Sequence, residues 1–252
     1  MTAPLVLSLF PGIGLLDMAF EAEGFCVVRG PDVLWGGDIR KFHPPAGKFD
    51  GVIGGPPCQA HSSFAHLVRQ AGKRVAEDLI PEFARSVSAA HPTWFLMENV
   101  PAAPTPMVGG YGMRRLVLNN RDIANEDGIG AEQNRERAFV FGVRGMSPLA
   151  LENHIDWAVL ENPVWSGAIL ATGGRKPGTE RKRGRTRGSW HGWVGGATFR
   201  HALEVQGLPP DFLADDTFTA KGKFRMVGNG VPLPMGRAIA RAVKQALAER
   251  VA

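Results

Sequence analysis

The 252-residue chain holds only two cysteines, and they lie in unlike surroundings. Such a pair supplies neither a disulfide framework nor zinc-ligand spacing, and it implies a reducing compartment. Cys26, in Phe25-Cys26-Val27-Val28, reads as a small hydrophobe in a buried strand. Long apolar runs are also missing. The first, after Met1-Thr2-Ala3-Pro4, stops at Pro11-Gly12, and no basic stretch precedes it. The expectation is a cytoplasmic chain without signal peptide or membrane span. Internal repeats are absent too. A hydrophobic content of 44% and a charged content of 21% suit a soluble globular enzyme, and the length suits one large domain with a small insert.

Acidic residues are scarce in one place. Residues 175–188 contain Arg175, Lys176, Arg181, Lys182, Arg183, Arg185 and Arg187 against the single acid Glu180, a local net of +6. The remaining 22 basic and 23 acidic residues net to −1, so this segment carries the whole excess behind the overall +5. Glycines interrupt it at 178, 184 and 188. A polyanion is its natural partner; a solvated basic loop without a partner is the alternative.

Residues 5–10 form an apolar run without alternation, as a central parallel strand does, and 15–23 follow with helical spacing. Residues 25–28, 49–53, 94–97, 115–118 and 138–143 read as further strands. Residues 76–90 read as a helix with Pro81 as a kink or a restart. Strand, helix and strand in repetition imply an α/β fold with a parallel sheet covered on both faces. Residues 144–197, rich in Gly, Pro, Trp and Arg, show no period, and regular structure returns at 198–206 and 232–248. The parse is a sheet domain over 1–143, a small insert over 144–197, and a C-terminal segment over 198–252 that completes the sheet domain.

Two regions carry chemistry. Gly54-Gly55-Pro56-Pro57-Cys58-Gln59 is a rigid turn that presents one thiol directly after an apolar strand, and Glu98-Asn99 and Gln133-Asn134-Arg135-Glu136-Arg137 follow at wide spacing. Thiol, carboxylate and guanidinium at separate strand ends form a candidate active site. Phe10-Pro11-Gly12-Ile13-Gly14 ends the first strand and opens a helix, where glycines admit a ligand and the helix N-terminus favours negative charge. The third glycine of a dinucleotide fingerprint is missing, which argues against a nicotinamide oxidoreductase. Asp32, 18 residues after Gly14, suits ribose hydroxyls, and Asp38, before Ile39, suits an adenine amino group.

In these motifs the chain resembles the C5-cytosine DNA methyltransferases, and the match runs in order through nearly its whole length. Leu9-Phe10-Pro11-Gly12-Ile13-Gly14 resembles the first cofactor motif, the Pro-Pro-Cys turn the nucleophile loop, and Glu98-Asn99-Val100 the Glu-Asn-Val motif. Gln133-Asn134-Arg135-Glu136-Arg137 resembles the Gln-x-Arg-x-Arg motif. Residues 202–209 resemble the segment after the recognition domain, and Gly228-Asn229-Gly230-Val231-Pro232 the last motif, which returns to the cofactor.

The resemblance implies a Rossmann-like methyltransferase sheet with S-adenosylmethionine as cofactor, and double-stranded DNA as partner with a flipped-out cytosine. No metal, no membrane and a monomeric chain are expected. Cys58 would add to C6 so that C5 can attack the methyl group. Glu98 would protonate N3, Arg137 would hold O2, Arg135 would support Glu98 and the loop, and Asn99 would orient the turn at Glu98. Phe10, Gly12, Ile13, Gly14, Leu15, Asp32, Asp38, Ile39, Pro57, Asn229 and Val231 would line the cofactor site. Gln59, His61, Ser62 and the seven basic residues from Arg175 to Arg187 would meet DNA. Trp190 and Trp193 read as a mini-core of the insert or as groups stacking on DNA.

Departures are visible. Asp32 and Asp38 lie six residues apart where the family has a helix and much of a strand, so either that unit is deleted or Asp32 is not the ribose ligand. His61 stands where the family usually has an aromatic residue, and the insert is short, as in a compact bacterial or phage restriction-modification enzyme. A tRNA cytosine methyltransferase is a rival; the insert lacks that branch's Cys-Phe-Thr. A catalytically silent DNA-binding relative is another, disfavoured by Cys58, Glu98, Arg135 and Arg137 together.

Overall fold

The computed structural model describes residues 2–61, 70, 72, 75–145, 147–162, 166–169 and 198–249. Its main sheet comprises β1 (Leu5–Leu9), β2 (Cys26–Arg29), β3 (Gly51–Gly54), β4 (Trp94–Asn99), β5 (Tyr111–Asn119) and β7 (Glu136–Arg144). Their order across the sheet is β2-β1-β3-β4-β7-β5. The two-residue strands β6 (Gln133–Asn134) and β8 (Ser166–Gly167) pair in parallel as a separate ladder. The described α-helices are α1 (Leu15–Ala22), α2 (Ile80–Ala90), α3 (Phe199–Val205), α4 (Ala220–Asn229) and α5 (Leu233–Glu249).

Packing divides the chain into two compact units. The first joins Met1–Leu118, Glu136–Ile155 and Gly236–Ala252; the second joins Asn119–Arg135 and Asp156–Met235. Residues 144–155 thus pack with the sheet, and 198–235 with the second unit, whereas the sequence pattern set its boundaries at 143 and 197. Residues 170–197, with the whole basic segment, Trp190 and Trp193, lie outside the described residues.

The sheet is mixed, which corrects the expected parallel one. β1 pairs in parallel with β2 and β3, and β3 with β4, but β7 runs antiparallel to β4 with Trp94 opposite Val143 and Asn99 opposite Ala138. The reason lies in the connections. A parallel return needs a crossover, usually helical. Between β4 and β5, and between β5 and β7, the chain forms no α-helix.

Every residue of β3 and β4 is buried, as expected of strands covered on both faces. On one face Leu7, Leu9, Val52, Phe95 and Met97 pack with Ile80, Phe83 and Val87 of α2. In another aromatic group Phe20 of α1 stacks with Trp94 at 6.1 Å between ring centroids, and Phe25 and Phe141 adjoin. Burying each such ring contributes roughly 1.5–3 kcal/mol. Pro81 sits in the first turn of α2, where its missing N–H is harmless, so it starts the helix rather than kinking it. Cys26 corrects the sequence reading: it is exposed, because β2 is the edge strand and only Val27 is partly covered.

Within the second unit, Thr198 and Thr219 cap α3 and α4, their hydroxyls accepting from the N–H groups of His201 and Gly222. Phe199 and Phe224 join the two helices edge to face at 5.4 Å.

Candidate active site

Three parallel strands deliver their C-terminal ends to one edge of the sheet, with Leu9 opposite Gly54 and Gly54 opposite Met97. Because β7 is antiparallel, it brings its first residues to that same edge. Arg137 therefore meets Glu98, at the end of β4, while Phe10 and Cys58 follow β1 and β3. Carboxyl ends of strands are where open α/β sheets bind ligands.

The turn after β3 is fixed sterically. A Cβ on Gly54 would stand 2.6 Å from the Leu9 carbonyl oxygen, so no side chain fits. Asn99 Nδ2 donates to the Pro56 carbonyl at 3.0 Å, and Asn99 Oδ1 accepts from the Val100 N–H at 2.8 Å. Asn99 was expected to orient the turn at Glu98; its side chain takes the next N–H of that turn and also clamps the Pro-Pro segment. Pro57 then starts a 3-10 turn over Cys58–Ala60, closed by the His61 N–H on the Cys58 carbonyl at 3.0 Å. Cys58 is half-buried and Gln59 exposed. His61 Nε2 lies 3.0 Å from Asp78 Oδ1, and Ser62 is outside the described residues.

Glu98 is 8% exposed. Its Oε1 lies 2.9 Å from Arg137 Nε, and its Oε2 lies 3.0 Å from where a Cβ on Gly55 would be. The carboxylate therefore overhangs the turn that carries Cys58. Arg137 Nη1 also donates to the Glu136 carbonyl at 2.6 Å, which holds the guanidinium in place.

Arg137 thus pairs with Glu98, a contact not expected from its motif. Arg135, buried in the second unit, donates to the carbonyls of Gly228 at 2.8 Å, Gly230 at 2.9 Å and Ile169 at 3.0 Å. It fixes the turn that bears Asn229 and Val231. Arg135 is the single residue between β6 and β7, and Arg137 lies inside β7.

The glycine turn is left-handed at three alternate residues: Phe10 at φ 56°, Gly12 at 57° and Gly14 at 83°. For Phe10 this conformation costs on the order of 1 kcal/mol, a strain common at ligand sites. A Cβ at Gly12 would meet nothing within 4 Å, so the backbone there faces open space. Gly14 begins α1 without a side-chain cap. Asp32 Oδ2 accepts from the Gly12 N–H at 2.9 Å and Oδ1 from the Leu34 N–H at 2.7 Å, while Trp35 Nε1 donates to the Gly12 carbonyl at 2.8 Å.

The short Asp32–Asp38 interval has a structural account. One 3-10 turn, Val33–Trp35, occupies it and a second, Ile39–Lys41, follows it, each capped by one of these aspartates. Asp38 accepts three hydrogen bonds from Arg40, whose side-chain bonds and charge hold its carboxyl below the usual range. Ile39 and Leu15 are buried.

Two groups escaped the sequence reading. Asp17, fully buried in α1, accepts from the Ser8 hydroxyl and from Arg29 Nε at 2.9 Å. Burial pushes its carboxyl up, against the opposing pull of Ser8 and Arg29. The signal was an acid three residues before Phe20, on the same helix face. Trp35, 60% exposed, had no signal beyond its place after Asp32.

The C-5 cytosine-specific DNA methylase family matches residues 34–164, just over half of the chain, and the chain belongs to this family. Among curated proteins it is 29% identical over 168 residues to Type II methyltransferase M.NgoPII of Neisseria gonorrhoeae, covering 55% of this chain and 48% of that one. It is 31% identical over 192 residues to M.AquIA of Picosynechococcus, covering 55% and 71%. The chain spans about half the length of the first curated relatives it matches. Its fold is that of a DNA modification methyltransferase encoded within an E. coli prophage, with a TM-score of 0.62, 18% identity, and coverage of 98% of this chain and all of that one. Among the described residues no helix is long and apolar enough to cross a membrane, and no cluster of three His, Cys, Asp or Glu side chains could hold a metal.

Proposed function

We propose that the chain is a DNA cytosine-C5 methyltransferase working through a covalent Cys58 adduct on an extruded base. The observation that carries this reading is the buried Glu98–Arg137 pair overhanging the Pro-Pro-Cys turn at the carboxyl edge of the sheet. Cytosine C5 is a poor nucleophile. Cys58 adds its thiolate to C6, and the displaced electron pair is taken up as Glu98 gives its proton to N3. Arg137 fixes the Glu98 carboxyl and offers its remaining N–H groups to O2. Asn99 and Gly54 hold the thiol's turn, so little freedom is lost at the reactive step.

S-adenosylmethionine, when bound, would supply the electrophilic methyl group that C5 takes; loss of the C5 proton to a base then expels the Cys58 thiolate from C6 and restores the ring double bond. The residues present fit it: the backbone at Gly12 faces open space, and the uncapped start of α1 favours a carboxylate. Asp38 follows at the next turn as the adenine partner. The basic segment at 175–187, with Gln59, His61 and Ser62, is assigned to the DNA, and the working location to the cytoplasm.

The test is a duplex library carrying 5-fluorocytosine, incubated with S-adenosylmethionine. Fluorine at C5 cannot leave as a proton does, so wild-type protein and Cys26→Ser form a denaturation-stable adduct and Cys58→Ala forms none. Absence of any adduct with wild-type protein on DNA that it binds overturns the covalent reading.

A further inference from the structure

Both backbone groups of Gly12 are held by side chains from one turn about twenty residues away. The Asp32 carboxylate takes its N–H, and the Trp35 indole N–H donates to its carbonyl. The other Asp32 oxygen is bound to the Leu34 N–H, which fixes the turn that carries Trp35. Gly12 lies between Phe10 and Gly14, all three left-handed, in a turn closed by one backbone bond, the Gly14 N–H on the Pro11 carbonyl at 2.8 Å. Nothing packs where its Cβ would be. Beyond that turn bond, the side-chain constraint on this residue is the pair of hydrogen bonds from Asp32 and Trp35.

We infer that Asp32 and Trp35 form a clamp that sets the glycine turn in its ligand-ready shape, and that Asp32 is a positioning residue for that turn rather than the selector of ribose hydroxyls. This rests on the S-adenosylmethionine reading for its ligand, but the clamp itself is a property of the free protein. The compressed interval between Asp32 and Asp38 supports it. A single 3-10 turn, Val33–Trp35, fills it, and as its cap the Asp32 carboxylate is drawn onto the N–H groups of Gly12 and Leu34.

A clamp and a ribose ligand leave different signatures. Losing one hydrogen bond that holds a binding-competent shape lowers the competent fraction, and affinity falls in proportion for every ligand of that shape, by about tenfold. Losing a ribose ligand erases selectivity between ribose and deoxyribose.

The experiment measures binding of S-adenosylhomocysteine and of its 2′-deoxy and 3′-deoxy counterparts to full-length wild type, Asp32→Asn and Trp35→Phe by calorimetry, with amide exchange followed over residues 9–16. Both variants should bind all three ligands about tenfold more weakly, with the ribose-to-deoxyribose ratio within about twofold of wild type. Exchange at 12–14 should quicken without ligand while the melting temperature stays within about 2 °C. In steady state the loss should fall on the cofactor KM rather than on kcat. If Asp32→Asn abolishes the ribose preference while Trp35→Phe keeps it, Asp32 is the ribose ligand and the inference is overturned. Unchanged exchange at 12–14 in both variants overturns it as well. Faster exchange with no wild-type binding of S-adenosylhomocysteine sustains the clamp and removes the cofactor reading instead.

Discussion

Arg137 Nε lies 2.9 Å from Glu98 Oε1, joining the start of an antiparallel strand to the end of a parallel one. Neither residue is near the other in sequence. They meet because β7 reverses against β4, with Asn99 opposite Ala138, one residue from Arg137. Both side chains are largely buried, at 10% and 15% exposure, so the pair is screened little by solvent.

Arg137→Ala leaves the Glu98 carboxylate without this partner. Removing one member of a buried pair destabilises strongly, and at this degree of burial the loss should be up to about 3 kcal/mol in urea denaturation. Methyl transfer should fall by at least about a hundredfold, since the proposed mechanism loses both its positioned proton donor and its contact to O2. Arg137→Lys keeps the charge but not the planar fork and should recover stability more than rate.

Gly54 and Gly55 look alike in sequence, yet the structure separates them. A methyl group at Gly54 meets the Leu9 carbonyl, which is backbone and cannot yield, and Phe83 at 3.0 Å. Gly54→Ala should cost about 2 kcal/mol or more of stability. At Gly55 the same methyl meets the far end of the Glu98 side chain at 3.0 Å. Gly55→Ala should leave stability within about 1 kcal/mol while lowering kcat about tenfold by moving the proton donor. Melting curves beside single-turnover rates separate the two.

Asp17 makes a pH signature. Its carboxyl is raised above 3.8 in the folded chain, burial being the largest cause. A proton is therefore held more tightly in the folded state than in the unfolded one. The stabilisation this provides is complete below the unfolded value and is lost as pH rises through the folded value. Asp17→Asn cannot titrate, so its stability relative to wild type should climb as pH is raised from about 4 toward neutrality. Urea denaturation of both proteins at several pH values checks the slope. A flat difference would mean that Arg29 and Ser8 outweigh burial.

Much of the sheet was legible because its central strands are short, uninterrupted apolar runs and its helices keep helical spacing. The direction of β7 was not, since antiparallel and parallel buried strands share the same composition; only the missing crossover helix revealed it. Cys26 misled for a related reason. An apolar neighbourhood marks a strand but not its place in the sheet, and β2 stands at the edge. Cys58 and Glu98 could be picked out as candidates from their motifs because chemistry restricts their residue types. The ion pair of Arg137 with Glu98 could not, because it depends on β7 running antiparallel to β4. Trp35 was invisible for want of any pattern joining it to Gly12.

The concentration of charge at residues 175–188 makes a prediction that stands on sequence alone. DNA phosphates release condensed counterions when cationic side chains neutralise them, and the log of the binding constant then falls with the log of salt by about 0.9 per phosphate. Outside this segment the chain nets −1, so the segment should supply most of the slope. Replacing Arg181, Lys182, Arg183 and Arg185 with Gln should flatten the slope by as much as about 3.6, a difference of about a hundredfold in affinity change between 50 and 200 mM salt. The loss should be similar on any duplex, because phosphate contacts carry no sequence information. Binding titrations at four salt concentrations, on specific and unrelated duplexes, read both quantities. An unchanged slope would assign the phosphate contacts elsewhere.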